Sequence, residues 1–264
     1  MVKMVCFDVD NTLLPRDAVR LSPAVIDMIK FLFSKGILVT VASGRPFCDI
    51  VRLFSDVIND IIIIAYDGSL VVYKNKVIAD FSIEKDLAYA FVDGVKNNTK
   101  YDIAVYGAGN VYVSSDCDEN CSPVVAMKKA GTMDNRVTRV DDFHKIDDSF
   151  FKLSVFYKMD GFVYDFEPFT SEWTDYLHNV YTKNGWCEFI SKNADKGSCL
   201  NIICEKFSVD MDNVMAFGDG ANDIGMLKSA GYSYAVSGSS TEVMSAADYV
   251  TDDVVKSVIS FFGK

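Results

Sequence analysis

Short apolar runs alternate with helical segments at both ends of this 264-residue chain, and this alternation limits the folds open to it. Met4–Val9, Ile37–Ala42 and Ile61–Ala65 have the apolar composition of strands that are covered on both faces. Between the first two runs, Ser22 and Pro23 provide the N-cap and first position of a helix. The βαβαβ pattern predicts an α/β fold with a doubly wound, Rossmann-like parallel sheet.

The middle of the chain breaks this pattern, and the C-terminal part resumes it. In the middle of the chain, the pattern predicts a hairpin formed by Leu70–Tyr73 and Val77–Phe81 and helices at Leu87–Val95 and Phe166–Tyr181. It also predicts strands at Tyr101–Tyr106, Val111–Ser114 and Phe151–Tyr157. The C-terminal part predicts helices and buried strands in turn at Leu200–Phe207, Val214–Phe217, Ile224–Ala230, Ser233–Val236 and Val254–Phe262. We therefore expect a core domain formed by residues 1–82 and 186–264, with an α+β domain, residues 83–185, inserted into it.

Charge and composition exclude several classes of protein. The formal net charge of −11 disfavours nucleic acid and anionic lipid as partners. No apolar stretch is long enough for a membrane span or a signal-peptide core. Seven cysteines without a regular spacing indicate reduced thiols. We expect a cytoplasmic protein, either a monomer or a small homo-oligomer.

Polar residues that could take part in catalysis or binding follow three of the predicted strands. Asp8 and Asp10 follow the first strand, Ser43-Gly44-Arg45 follows the second, and Asp219 follows Val214–Phe217. Ligands of open parallel sheets bind beyond the carboxyl ends of the strands, so these residues are expected at one edge, with Lys196 on a helix nearby. Two carboxylates as close as Asp8 and Asp10 repel each other, and a divalent cation would relieve that repulsion.

These residue types suit phosphoryl transfer. Asp8 at the strand end could attack phosphorus, and Asp10 could protonate the leaving oxygen and then activate water. Asp219 would complete a carboxylate site for Mg²⁺, which prefers oxygen ligands. Ser43 and the backbone N–H groups after it could hold phosphate oxygens, and Lys196 could balance their charge.

The motifs, taken in order, resemble those of the haloacid dehalogenase-like phosphatases. They are Asp8-Val-Asp10-Asn-Thr12, Ser43-Gly-Arg45, Lys196-Gly and Gly218-Asp219-Gly-Ala-Asn222-Asp223. The long insertion between Ser43 and Lys196 is similar to the cap of the Cof-type branch. In that family the inserted domain is a cap that closes over the site and contacts the leaving group.

The resemblance implies a role for each matching residue. Asp8 would be the nucleophile and Asp10 the general acid/base. Mg²⁺ would be held by the carboxylates of Asp8 and Asp219 and the carbonyl of Asp10, with Asp223 supporting it indirectly. The transferring phosphoryl group and the substrate would be bound by Thr12, Ser43, Gly44, Arg45, Lys196 and Asn222. The substrate would be a small phosphorylated metabolite of the sugar phosphate, nucleotide, flavin mononucleotide or pyridoxal phosphate type.

The sequence departs from the usual motifs of the family at two positions near the predicted site. Asn11 stands where the family usually has glycine, and asparagine tolerates the left-handed conformation. Asp67-Gly68 stands where the family often has Asn-Gly, which adds a negative charge near the site. Arg45 could bind substrate or pair with an acid.

Two other functions remain open for this sequence. They are a phosphosugar mutase on the same scaffold and a phospho-accepting signalling module without turnover.

Overall fold

A computed structural model of the protein describes residues 1–16, 18–129, 136–158, 165–183 and 185–263. The chain divides into two compact units. The first unit combines Met1–Asp80 with Asp195–Lys264, and the second comprises Phe81–Ala194. Both ends of the chain therefore form one unit, and the segment between them forms the other.

The described residues form strands and helices that are numbered along the chain. The strands are β1 Met4–Asp8, β2 Leu38–Ala42, β3 Ile61–Ala65, β4 Leu70–Tyr73, β5 Lys76–Asp80, β6 Tyr101–Tyr106, β7 Val111–Ser114, β8 Val137–Val140, β9 Lys152–Tyr157, β10 Leu177–Lys183, β11 Trp186–Ser191, β12 Val214–Gly218, β13 Tyr232–Val236 and β14 Tyr249–Thr251. The helices are α1 Pro23–Ser34, α2 Phe47–Leu53, α3 Lys85–Lys96, α4 Ser122–Lys129, α5 Glu167–Trp173, α6 Lys196–Phe207, α7 Ile224–Ser229, α8 Thr241–Ser245 and α9 Val254–Phe262.

The first unit contains an eight-stranded sheet in the order β14-β13-β12-β1-β2-β3-β4-β5. The strands from β14 to β3 run parallel, while β4 and β5 form the predicted antiparallel hairpin. The strand order reverses between β1 and β12, and ligands of doubly wound sheets bind at such a switch point. The predicted fold class, an α/β core of this type with an inserted domain, is confirmed.

Local signals account for the elements that carry the first unit. The Ser22 hydroxyl accepts a hydrogen bond from the Val25 N–H, as expected of the N-cap of α1. One aromatic ring from each of β1, β12, β13 and β14 stacks on the next, with ring centroids 5.3, 4.8 and 4.9 Å apart, in the series Phe7, Phe217, Tyr234 and Tyr249. These cross-strand pairs support the register that aligns the strand ends.

The second unit has its own six-stranded sheet in the order β10-β11-β9-β6-β7-β8. Its neighbouring strands are antiparallel except for the parallel pair β7 and β8. One apolar cluster packs α3 and α5 on the sheet, with Phe91 of α3 in ring contact with Phe169, Trp173 and Phe189. The second unit therefore has a core of its own.

Two predictions about this segment are wrong in their bounds. The single helix expected over Phe166–Tyr181 is the short helix α5 followed by strand β10. Residues 186–191, which fall in the expected core domain, form strand β11, and this strand pairs with β9 and β10 in the second unit. The return to the first unit therefore falls at residue 195 instead of 186.

The expectation of reduced thiols throughout is also wrong. Cys117 and Cys121 form a disulfide, and their Cα atoms, 5.5 Å apart, lie within the range that such a bond can bridge. The other five cysteines, all within the described residues, are free thiols. Among the described helices, none has the length and apolarity needed to cross a membrane.

Candidate active site

Four neighbouring strands of the first unit deliver the predicted functional residues to one edge of its sheet. The strands lie in the order β12-β1-β2-β3, and each ends at the same edge because all four are parallel. Asp8 is the last residue of β1, Ser43 directly follows β2, and Asp219 directly follows β12. The sheet topology therefore brings these residues to one edge, as the sequence predicted.

A buried group of three charged residues lies at the end of β1. Lys196, the first residue of α6, donates from Nζ to one oxygen of Asp8 and one of Asp223, at 2.7 Å each. All three side chains are buried. Asp195 places the lysine by capping α6, since its carboxylate accepts from the Ser198 N–H at 2.9 Å. We refer to Asp8, Asp223 and Lys196 as the buried triad.

The buried triad combines two carboxyl groups with one ammonium group. Burial raises the pKa of Asp8 well above its ordinary value, and the charge of Asp223 raises it further, against the opposing effect of Lys196. Burial alone would lower the pKa of Lys196, but the charges of Asp223 and Asp8 raise that pKa well above its ordinary value. Lys196 therefore stays protonated, and its ammonium group is shared between the two carboxyl groups of the triad.

Asp219 brings a third carboxylate to the same place. One oxygen atom from each of Asp8, Asp219 and Asp223 lies within 4.8 Å of the others. Burial raises the pKa of Asp219, and the charge of Asp223 adds to the effect. The Asp8 Oδ2 atom is buried, and no donor among the described residues reaches it. Three clustered carboxylates with an oxygen that lacks a donor are a donor set that suits Mg²⁺.

The loops around Asp219 hold it in place. Asn11, with φ of 58°, donates from Nδ2 to Asp219 at 3.2 Å, and the Thr12 hydroxyl lies 3.5 Å from the other oxygen. The left-handed conformation expected at Asn11 is confirmed. Thr12, which the resemblance assigns to phosphate binding, contacts the predicted metal ligand Asp219.

Asp223 supports the Asp219 loop with its second oxygen. That oxygen accepts from the backbone N–H groups of Asp219 at 3.0 Å and Gly220 at 2.9 Å, while the first oxygen accepts from Lys196. A side chain at Gly218 would lie within 2.6–2.8 Å of Asp223 atoms, so only glycine fits there. Both oxygens of Asp223 are thus engaged by the protein itself, which fits the indirect role in metal binding that the resemblance implies.

Asp10 and Arg45 form a second, more exposed group. Arg45 donates from Nε at 3.1 and 2.9 Å and from Nη2 at 2.6 Å to the Asp10 carboxylate. These hydrogen bonds raise the pKa of Arg45. The buried Ser43 hydroxyl accepts from the Arg45 N–H at 3.1 Å and lies 3.5 Å from Asp10. Of the two roles left open for Arg45, the structure shows pairing with an acid, and that acid is Asp10.

The remaining predicted residues, Gly44 and Asn222, meet at Asp67. Asn222 Nδ2 donates to Asp67 Oδ1 at 2.7 Å, and a Cβ atom on Gly44 would lie 2.9–3.2 Å from the Asp67 carboxylate. Sequence reasoning had noted the charge of Asp67 without linking it to Asn222. A second omission, the capping of α6 by Asp195, had a local signal in the Asp-Lys-Gly-Ser sequence.

The profile of the haloacid dehalogenase-like hydrolases matches residues 5–262, so the chain belongs to that family. The 5-amino-6-(5-phospho-D-ribitylamino)uracil phosphatase YbjI of Escherichia coli K12 is 26% identical over 248 residues, which are 94% of this chain and 90% of that protein. The structure of SMU.1108c from Streptococcus mutans UA159 has a TM-score of 0.85 at 23% identity and covers 100% of both chains. The HAD subclass IIB sugar phosphatase BT4131 has a TM-score of 0.80 at 20% identity and covers 99% of both.

The resemblance drawn from the four motifs is thereby confirmed, including the Cof-type branch. The enzyme class expected from them is confirmed as well: the protein is a hydrolase of phosphoric monoesters of the haloacid dehalogenase type. The fold shared with the two solved structures is the α/β core with its insertion.

Proposed function

We propose that the protein is a Mg²⁺-dependent phosphatase that hydrolyses a small phosphorylated metabolite through an aspartyl-phosphate at Asp8. The observation that carries the proposal is the buried triad, with its nucleophile candidate held by Lys196 at 2.7 Å. Lys196 orients Asp8 and keeps positive charge beside the phosphoryl group, where the transition state gathers negative charge. The two oxygens of Asp8 differ, since only Oδ1 has a hydrogen-bond donor in the described protein.

Asp10 is the proposed general acid/base. Its side chain is 47% exposed, so its carboxyl group has access to a leaving oxygen and to water. It would donate a proton to the leaving alcohol and later take one from the water that hydrolyses the aspartyl-phosphate. Ser43 and the N–H groups around Gly44 would contact phosphoryl oxygens. Asp8, Asp219 and the Asp10 carbonyl would hold Mg²⁺, which would supply positive charge to the phosphoryl oxygens.

The substrate class comes from the relatives. YbjI is named for a ribitylaminouracil phosphate, and BT4131 is named a sugar phosphatase. Both names describe a phosphate ester of a small polyhydroxylated molecule. We propose a substrate of that kind, with the inserted unit setting the specificity. We place the enzyme in the cytoplasm, where phosphorylated metabolites of this kind are held.

The test is a turnover assay of the purified protein. It should release inorganic phosphate from p-nitrophenyl phosphate with Mg²⁺, stop on chelation by EDTA, and turn over a ribitylaminouracil phosphate or a sugar phosphate faster. Asp8→Asn should remove turnover while leaving the circular dichroism spectrum and Tm close to those of the wild type. An active Asp8→Asn enzyme would refute the aspartyl-phosphate. A phosphoryl group returned to a sugar substrate would instead identify a mutase, and a phosphoprotein without turnover a signalling module.

A further inference from the structure

The turn after β3 holds its residues in an unusual backbone conformation. Tyr66 and Asp67 have φ of 52° and 56°, and Gly68 follows with φ of 113°. The left-handed region costs about 1–2 kcal/mol for a residue with a side chain, although aspartate tolerates it better than most. Two hydrogen bonds hold this turn to the one after β2, from the Tyr66 N–H to the Arg45 carbonyl at 3.1 Å and from the Asp67 N–H to the Ser43 carbonyl at 3.0 Å. Such strain is characteristic of functional sites.

This backbone conformation places the Asp67 side chain inside the site, where it is only 4% exposed. Its carboxylate lies against the Cα atom of Gly44, where any larger residue would collide with it. Its Oδ1 atom accepts the hydrogen bond from Asn222 Nδ2 at 2.7 Å. Asp67 thus connects the loop after β2 with the loop after β12, both of which carry predicted phosphate contacts.

The charge of Asp67 determines the orientation of the Asn222 amide. An ionised carboxylate accepts hydrogen bonds and cannot donate them, so only the NH₂ end of the amide can face Asp67. The Asn222 Oδ1 atom must then face away, and it lies beside Gly220, where a Cβ atom would be 2.5 Å from it. An asparagine at position 67 could donate or accept, and would permit both orientations of the Asn222 amide.

We propose that Asp67 is a positioning residue that holds the Asn222 amide in a single orientation, with its NH₂ group toward Asp67 and its Oδ1 atom toward Gly220. The inference rests on the proposed phosphatase function. The charge of Asp67 also contributes to raising the pKa of Lys196, which places Asp67 within electrostatic range of the buried triad. The negative charge that the sequence had marked as a departure thereby has a use: it organises the polar groups that surround the phosphate.

The test combines kinetics with a measurement that needs no turnover. In kinetics, Asp67→Asn should lower kcat/KM by about tenfold, since a hydrogen bond to a charged group is lost. In the Asn222→Ala background the same substitution should change kcat/KM by less than about twofold, because Asp67 acts through Asn222. In ¹⁵N-correlated NMR spectra, the side-chain NH₂ signal that disappears in Asn222→Ala should shift in Asp67→Asn.

Asp60→Asn is the matched control, because it removes the same charge from an exposed residue at the opposite end of β3. It should change neither kcat/KM nor the Asn222 signal. Equal losses from Asp67→Asn in both backgrounds, no loss in either, or an unmoved Asn222 signal would each overturn the inference. If wild-type protein hydrolyses no phosphate ester, the proposed function fails instead, and the NMR comparison still decides whether Asp67 orients Asn222.

Discussion

The buried triad and the Asp10–Arg45 pair lie at the same sheet edge but differ in their access to solvent. In the triad, the side chains of Lys196, Asp223 and Asp8 are 0%, 1% and 7% exposed. In the pair, Arg45 is 21% and Asp10 47% exposed. Charges are screened by water in the pair and hardly at all in the triad, so equal distances represent different energies.

This difference matches the work that each group would do. A nucleophile must stay in one place through the reaction. Burial of Asp8 and its charge-assisted hydrogen bond from Lys196, which Asp223 holds through a second such bond, provide that. A general acid/base must exchange protons with a leaving group and with water, which requires access to both. The comparison therefore predicts that removing the one positive charge of the triad affects folding and catalysis together, whereas substitutions in the exposed pair affect catalysis with little effect on folding.

The largest effect is expected from Lys196→Met, which keeps the volume of the side chain but removes its charge. Asp8 and Asp223 would remain buried without a counter-charge, so the free energy of unfolding should fall by about 3–5 kcal/mol. kcat/KM should fall by about 100-fold or more through lost charge stabilisation. Chemical denaturation and steady-state kinetics measure the two effects.

Lys206→Met, near the C-terminal end of the same helix and exposed, is the control for Lys196→Met and should be close to wild type in both measurements. If Lys196→Met keeps a near-normal kcat/KM, Lys196 has no role in binding the phosphoryl group. If Lys196→Met instead unfolds no more easily than Lys206→Met, the charge of Lys196 does not stabilise the folded protein.

An intermediate effect is expected from Asp219→Asn, which removes the most exposed carboxylate of the metal cluster. Mg²⁺ at about 100 times its Kd should stabilise the wild type by about 2.7 kcal/mol, and this gain should be absent in the variant. Because the pKa of Asp219 is raised, the folded protein holds its proton more tightly than the unfolded chain. Without metal, Asp219 should therefore lower stability as pH rises from the ordinary aspartate value through the raised one.

Thermal unfolding with Mg²⁺ or EDTA at several pH values tests the Asp219→Asn prediction, and the metal-free variant should show a smaller fall in Tm with pH than the wild type. Asp212→Asn, exposed before the opposite end of β12, is the control and should respond to Mg²⁺ and pH like the wild type. An unchanged Mg²⁺ stabilisation in Asp219→Asn would remove this residue from the metal site.

The parts that local sequence could predict differ from those that depended on distant pairing. The apolar run before Asp8, the Ser22 cap and the left-handed conformation of Asn11 each depend on neighbouring residues, and the structure has them as expected. No glycine or proline separates strand β10 from α5, so the local periodicity predicted a helix that continued through β10. Its strand conformation depends on hydrogen bonds to β11, which the local sequence does not reveal. The pairing of Asp67 with Asn222 spans 155 positions and has no local signal.

The smallest effect on folding is expected from Arg45→Lys in the exposed pair. Lysine keeps the positive charge but cannot make the bidentate contact with Asp10 that arginine makes through Nε and Nη2. The stability should change by less than about 1 kcal/mol, as for other partly exposed ion pairs. kcat should fall by about tenfold, a part of the 10²–10⁴ that general acid–base catalysis contributes, because Asp10 loses its orientation.

Arg52→Lys, an exposed exchange on α2, is the matched control for Arg45→Lys and should leave kcat unchanged. The informative quantity is the ratio of the two effects, the change in kcat against the change in Tm. In Lys196→Met both quantities should fall together, whereas in Arg45→Lys kcat should fall while Tm stays within a few degrees of wild type. A large loss of Tm in Arg45→Lys would mean that the Asp10–Arg45 pair is a structural contact. The proposal that the exposed pair serves catalysis and contributes little to folding would then be wrong.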